Sequence, residues 1–300
     1  MVTSQSFVAT TLLIGVLFLP PVNADETAEE ETETASAHEV AAQLANPNAS
    51  LGFLAFPLDY VEYGGSLPGA DTQSAWKLSF QPSIPYSLGE STNLFVRPLI
   101  PLYLDQPVPI AGGEAIRPPG FDAGAQGFGS TGLELGDISF DVAVGHTLPN
   151  KTIVVGGIVG TLPTATDDRV GLDQYLLGPE FLLGHQFDWG FAGLLLTHQW
   201  DIAGEDSFDT SITGGQYFYT INLKNAWQIQ ATPTFSYNHE ADSGDRFTFP
   251  VGVGVAKTIL FGSTPWKFSL QYWHYVETPD TFGPDFQIRF QVAPVVPLPW

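Results

Sequence analysis

From residue 49 onward, apolar and polar side chains alternate along the chain with a period of two. Over 227–238 one parity reads Trp227, Ile229, Ala231, Pro233, Phe235, Tyr237 and the other Gln228, Gln230, Thr232, Thr234, Ser236, Asn238. Successive side chains of a strand point to opposite faces, so this is a ribbon with one oily and one wet side. Trp266, Phe268, Leu270 and Tyr272 oppose Lys267, Ser269, Gln271 and Trp273 in the same way. So do Trp76, Leu78, Phe80, Pro82, Ile84 and Tyr86 against Lys77, Ser79, Gln81 and Ser83. A helical period would scatter these sets.

Turn signals between such runs predict about twelve strands, near 50–64, 74–88, 92–105, 136–148, 151–166, 175–187, 191–203, 212–223, 227–240, 247–260, 266–278 and 286–296. Connections alternate in length: 89–91, 149–150, 188–190 and 224–226 are tight, whereas 65–73, 106–135, 167–174, 204–211, 241–246 and 279–285 are longer. Short periplasmic turns and longer outer loops are the pattern of an outer-membrane barrel. A soluble β-sandwich would alternate too, but two features oppose it. A closed barrel of about twelve strands is too wide for side chains alone to fill, so its polar parity faces a wet lumen. The apolar parity also carries Trp76, Trp227 and Trp266 near strand ends, where an interfacial girdle sits. The expected fold is therefore an all-β, transmembrane, antiparallel up-and-down β-barrel over 49–300. The final run, from Phe286 through Phe290 to Trp300, keeps one apolar parity, a strand end suited to the barrel-assembly machinery. Pro294, Pro297 and Pro299 each remove a ladder donor, which predicts that pairing stops near Ala293.

Composition sharpens this picture. Gly (31), Pro (24), Phe (22) and Tyr (10) suit a strand-rich chain, and there is no cysteine, so disulfides and thiolate metal sites are excluded. A formal net charge of −22 with ten basic residues leaves no general attraction for phosphate backbones, and nucleic acid is not an expected partner. Residues 1–24 read as a signal peptide: an apolar run over 7–19, then small residues before Asp25, although no Lys or Arg precedes the run. Residues 25–48 read as an acidic, largely disordered segment, with six acids within 25–36, although 38–50 could instead plug the periplasmic mouth.

Parity assigns Lys77, Arg97, Asp137, Asp141, Glu180, Asp201, Glu240, Lys267, Glu277 and Arg289 to the lumen. Mixed charge across a narrow pore would set its preference among solutes; the bland alternative is that the charges pair and fill the barrel. The loop over 106–135, with seven glycines and four prolines, is either an inward constriction or a surface loop. Acid clusters at Asp167 and Asp168, at Glu205, Asp206 and Asp209, and at Asp242 and Asp245 lack calcium-loop spacing and read as solvated charge. A lipid-face Ser-His site is the enzymatic rival. His198 lies beside Trp200, but Ser236 and Asn238 have opposite parity to His239. No catalytic residue, metal site or cofactor is assigned.

Four segments carry a family resemblance: Asn46-Pro47-Asn48-Ala49-Ser50-Leu51, Leu162-Pro163-Thr164-Ala165-Thr166-Asp167-Asp168, WDIAGEDS at 200–207 and YVETPDTFGPDFQIRF at 275–290. Together they resemble the outer-membrane transporters named for the meta-cleavage pathway of phenol degradation. The resemblance implies a membrane barrel that carries small apolar or aromatic compounds. The sequence thus points to a bacterial outer-membrane channel or transporter, monomeric or oligomeric. Its partners would be outer-membrane lipid and small-molecule solutes that pass through the lumen or sideways into the bilayer. A plugged structural barrel and a lipid-modifying enzyme are the alternatives.

Overall fold

The computed structural model describes residues 37–111, 114–115 and 125–298. The signal peptide and the run of acids at 25–36 lie outside the described residues. Twelve antiparallel strands form the wall: β1 (Gly52–Gly64), β2 (Ser74–Gly89), β3 (Thr92–Asp105), β4 (Ile138–Thr147), β5 (Thr152–Leu162), β6 (Gln174–Phe187), β7 (Gly190–Gly204), β8 (Ser211–Asn222), β9 in two halves (Trp227–Ala231 and Thr234–Asn238), β10 (Phe247–Phe261), β11 (Thr264–Glu277) and β12 (Gly283–Val296). Each strand pairs with its neighbours in sequence, and β12 closes on β1 from Gly52 opposite Val296 to Gly64 opposite Gly283. Closure removes both sheet edges, the condition for crossing lipid with strands.

The alternation sorts the faces as expected. Ile158, Leu183, Leu194, Val253, Val255 and Leu270 are exposed on the outside, while Gln228, Gln230, Ser269 and Gln271 are buried inside. Aromatic pairs ring both ends of this aliphatic band. Phe187 with Trp189 and Phe261 with Trp266 lie beside short turns; Tyr60 with Trp76 and Tyr237 with Phe247 lie toward the long loops. At the tight turn before β7, Gly190 has φ 155° and lies against the Thr220 carbonyl, a position no side chain could share.

Two expectations about strand ends are corrected. β5 stops at Leu162 because Thr164 turns back onto the Leu162 carbonyl. Pairing does not end near Ala293. β12 stays in register with β11 through Pro294 and with β1 through Val296, because the ladder needs carbonyls as well as amides.

The widest break in the wall lies between β9 and β10. β9 leaves the ladder at Thr232 and Pro233, so β10 pairs with it only at 247–248 and 255–257. Pro233 has no N–H to give. Thr232 is drawn into the lumen, where its amide donates to Gln271 Oε1 at 2.9 Å and its carbonyl accepts from Gln216 Nε2 at 3.2 Å. Pro233 follows it and is buried against the inner side of Gly252, not on the outer face that strict alternation assigns. From β8, the Tyr217 hydroxyl donates to the Pro250 carbonyl at 3.0 Å and accepts from the Gly252 amide at 3.1 Å. The Tyr219 hydroxyl donates to the Gly252 carbonyl at 3.0 Å. Two phenol groups thus replace the missing rungs.

Candidate functional site: the lumen

The interior is built from side chains that β-alternation turns inward. Arg289 on β12 grips Asp59 on β1 with two bonds, 2.6 Å from Nε to Oδ1 and 2.8 Å from Nη2 to Oδ2. Arg97 on β3 holds Asp141 on β4 at 2.8 Å through Nε and Glu180 on β6 at 3.0 Å through Nη2. Forked guanidinium–carboxylate pairs of this kind are short, directional and costly to break when buried. Lys77, opposite Asp59 in register, lies 6.0 Å from the Tyr103 ring centre. These charges form an arc on one side of the barrel. The opposite side, from β7 to β9, contributes Leu195, Gln216, Phe218, Gln230 and Thr232.

A cavity lies on each side of the arc. The inner one, about 230 Å³, is lined by Arg97, Lys267 and Arg289 together with residues of the N-terminal segment. The outer one, about 460 Å³, is lined by Lys77, Tyr103, Asp137, Arg169 and the root of the long third loop at Gln106, Pro107, Val108 and Pro109.

Both mouths are narrowed by folded-in chain. At the short-turn end a helix over 37–44 and a turn over 45–50 sit inside the wall, so the part of 25–48 from residue 37 onward is ordered and not disordered. Asn48 Nδ2 donates to Thr147 Oγ1 at 2.7 Å and to the Ser91 carbonyl at 3.1 Å, and Asn93 Nδ2 donates to the Asn48 carbonyl at 2.8 Å. Gln228 Nε2 donates to the Ala41 carbonyl at 2.9 Å. Gly145 leaves room for this anchor, since a methyl there would stand 2.6 Å from Asn48 Oδ1. At the other end the third loop forms a small sheet of Pro107–Ala111, Glu114–Ala115 and Gly127–Ser130, and the Phe128 ring packs at a tilt against Phe282. Asp137 Oδ1 accepts from the amides of Thr164 and Ala165, both at 3.0 Å, and its Oδ2 accepts from Leu172 at 2.8 Å. These bonds fold the loop after β5 over the rim. Arg169 clasps Asp167 there at 2.6 Å and 2.7 Å, which holds the Asp167 carboxyl down at about 2.

Of the ten charged residues assigned by parity, Lys77, Arg97, Asp137, Asp141, Glu180, Lys267 and Arg289 are gathered in this interior. Asp201, nearer the rim, accepts from the Thr210 amide at 2.6 Å. Glu240 is corrected: β9 ends at Asn238, whose Oδ1 caps the Glu240 amide, and the side chain is exposed in a loop. Glu277 is the last residue of β11 and is likewise exposed. Sequence reasoning missed Asp59. β1 is apolar on both faces, so its parity carries no signal, and only the register opposite Arg289 reveals the pair.

Outside, cross-strand neighbours do bring histidines and hydroxyls together. Thr213 Oγ1 lies 2.8 Å from both His198 Nδ1 and His239 Nε2, and Ser211 Oγ lies 3.5 Å from His198 Nε2. The same His–Thr pairing recurs at His146 with Thr92 and at His185 with Thr152, at the other end of the barrel. A motif repeated at both membrane surfaces reads as a way of satisfying interfacial polar groups. Among the described residues, no three His, Asp or Glu side chains gather as a metal site.

A closed antiparallel barrel with a lipid-facing aliphatic band, two aromatic girdles and a polar interior is an outer-membrane β-barrel. No family model matches the sequence, and no curated protein does. Among solved structures the chain is similar to the COG4313 outer membrane channel from Pseudomonas putida F1, at 15% identity and TM-score 0.54, over 82% of this chain and 94% of that one. It also aligns with the NanC porin, at 8% identity and TM-score 0.49, over 82% of this chain and all of that one. The CymD monoaromatic hydrocarbon channel aligns at 12% identity and TM-score 0.40, over 88% and 93%.

Proposed function

We propose that this protein is a channel that passes small solutes across the outer membrane and is not an enzyme. The observation that carries the reading is the pair of cavities stacked along the barrel axis, one on each side of the charged arc and each closed by anchored chain. The arc gives the path between the two cavities a fixed electrostatic character, the ordinary origin of solute preference in a pore. The apolar linings at Phe53, Phe95, Leu182, Leu195 and Phe218 support apolar or aromatic compounds as cargo, in line with what the family resemblance implies.

Planar-bilayer recording tests the reading. Asn48→Ala loosens the inner anchor and should raise single-channel conductance above that of the unaltered protein. If neither form gives reproducible conductance, the barrel is plugged and the channel reading falls.

A further inference from the structure

The inner cavity is electrostatically lopsided. Three cationic residues line it, Arg97, Lys267 and Arg289, and none of its lining residues is acidic. The two arginines are already committed to carboxylates in the arc. Lys267 is different. Among the described residues it has no carboxylate within 4.0 Å and no hydrogen-bonding partner, and its cross-strand neighbours are Thr258 and Ala293. Thr258 is buried, and its hydroxyl has no partner either. An ammonium group kept inside a wall without a counterion is costly unless something supplies the missing charge.

The rest of the lining says what kind of molecule could do so. Phe95, Leu182, Leu195 and Phe218 form an apolar flank, while Gln271, Gln291 and the cations form a donor-rich one. About 230 Å³ exceeds the roughly 150 Å³ in which an engineered apolar cavity accepts benzene, so one aromatic ring with a short substituent fits.

We propose that the inner cavity is a binding site for small organic monocarboxylates, with the carboxylate on Lys267 and an apolar or single-ring body against the Phe95, Leu182 and Phe218 flank. This deepens the channel reading and rests on it for its role in transport, but the binding itself can be measured separately. The chain as a whole is strongly acidic, so an inward-facing cation without a partner selects against the background charge of the molecule.

The test is calorimetric titration of the detergent-solubilised full chain with phenylacetate and with its neutral analogue phenylacetamide. The unaltered protein should bind the acid about tenfold more tightly than the amide, the scale of one charge-assisted hydrogen bond. Lys267→Gln should abolish that preference while leaving the amide unchanged, Lys267→Arg should retain most of it, and Lys151→Gln, in an exposed short turn, should retain all of it. The heat-dependent gel shift of folded barrels reports whether each variant is assembled. Equal affinity for acid and amide, or a preference that survives Lys267→Gln, overturns the site. Conductance of the same preparations keeps the two readings apart. Binding without conductance removes the channel and leaves the site, and conductance without binding does the reverse.

Discussion

Asp59 is only 1% exposed and is tolerated inside the wall because Arg289 meets both its oxygens. Removing one partner strands the other, and a buried unpaired charge costs about 3–5 kcal/mol. Arg289→Met should therefore lower the unfolding free energy of the barrel in lipid, read from urea titration, by that scale, whereas Arg289→Met with Asp59→Leu should recover most of the loss. A recovered double variant with altered conductance would show that the pair shapes the pore as well as holding the wall. At the rim the sign of the pH dependence follows from Asp167. Its folded value of about 2 lies below that of a free carboxyl, so its clasp on Arg169 contributes fully above about pH 4 and is lost as pH falls toward 2. The protection of the Arg169 amide, which donates to Asp167 at 2.9 Å, measured against the intrinsic exchange rate at each pH, should hold at pH 4 and fall only below it. Such charges differ in how far the sequence betrays them. Lys267 and Arg289 stand out because their strands alternate cleanly. Asp59 does not, because Phe53, Pro57 and Val61 put apolar side chains on its own inward face.

At the scale of elements, the number of strands and most of their faces were legible from period-two patterning and turn chemistry, unlike the faces of β1 and the break at Thr232 and Pro233. The segments that narrow the lumen were not. The helix over 37–44 has too few residues to form alone and is ordered by what the wall offers it: Ala37 and Ala41 pack on Ala226, and Asn48 finds Thr147 and Ser91. Long-range contacts of that sort leave no periodic trace. They also expose the segment to a gentle lesion from the far side. Gly145→Ala should push Asn48 out of place without altering any residue of the segment. Proteolytic cleavage near residue 45 should then quicken while the barrel keeps its heat-dependent gel mobility. The loop after β3 poses the same difficulty. Its glycines and prolines mark it as irregular, yet the docking of Phe128 on Phe282, and Arg169 reaching Ser130, come from elements far apart in sequence.

For the molecule as a whole, closure makes the wall a continuous cylinder whose widest gap in pairing lies beside Thr232 and Pro233. A ladder resists shear because every rung must fail with its neighbours, whereas phenol groups borrowed from β8 can let go by simple rotation of a side chain. Tyr217→Phe with Tyr219→Phe removes all three bonds and little else, a loss of about 1 kcal/mol per bond. Amide exchange on β10 at 251–254 should accelerate in that variant well before exchange on β5 or β6, and equal protection throughout would show that the phenols are dispensable. The zipper is thus missing its teeth at one point and is fastened there by two buttons. A guest leaving the bore toward the surrounding oil would have those buttons to undo, together with the bonds that hold Thr232 to Gln271 and Gln216.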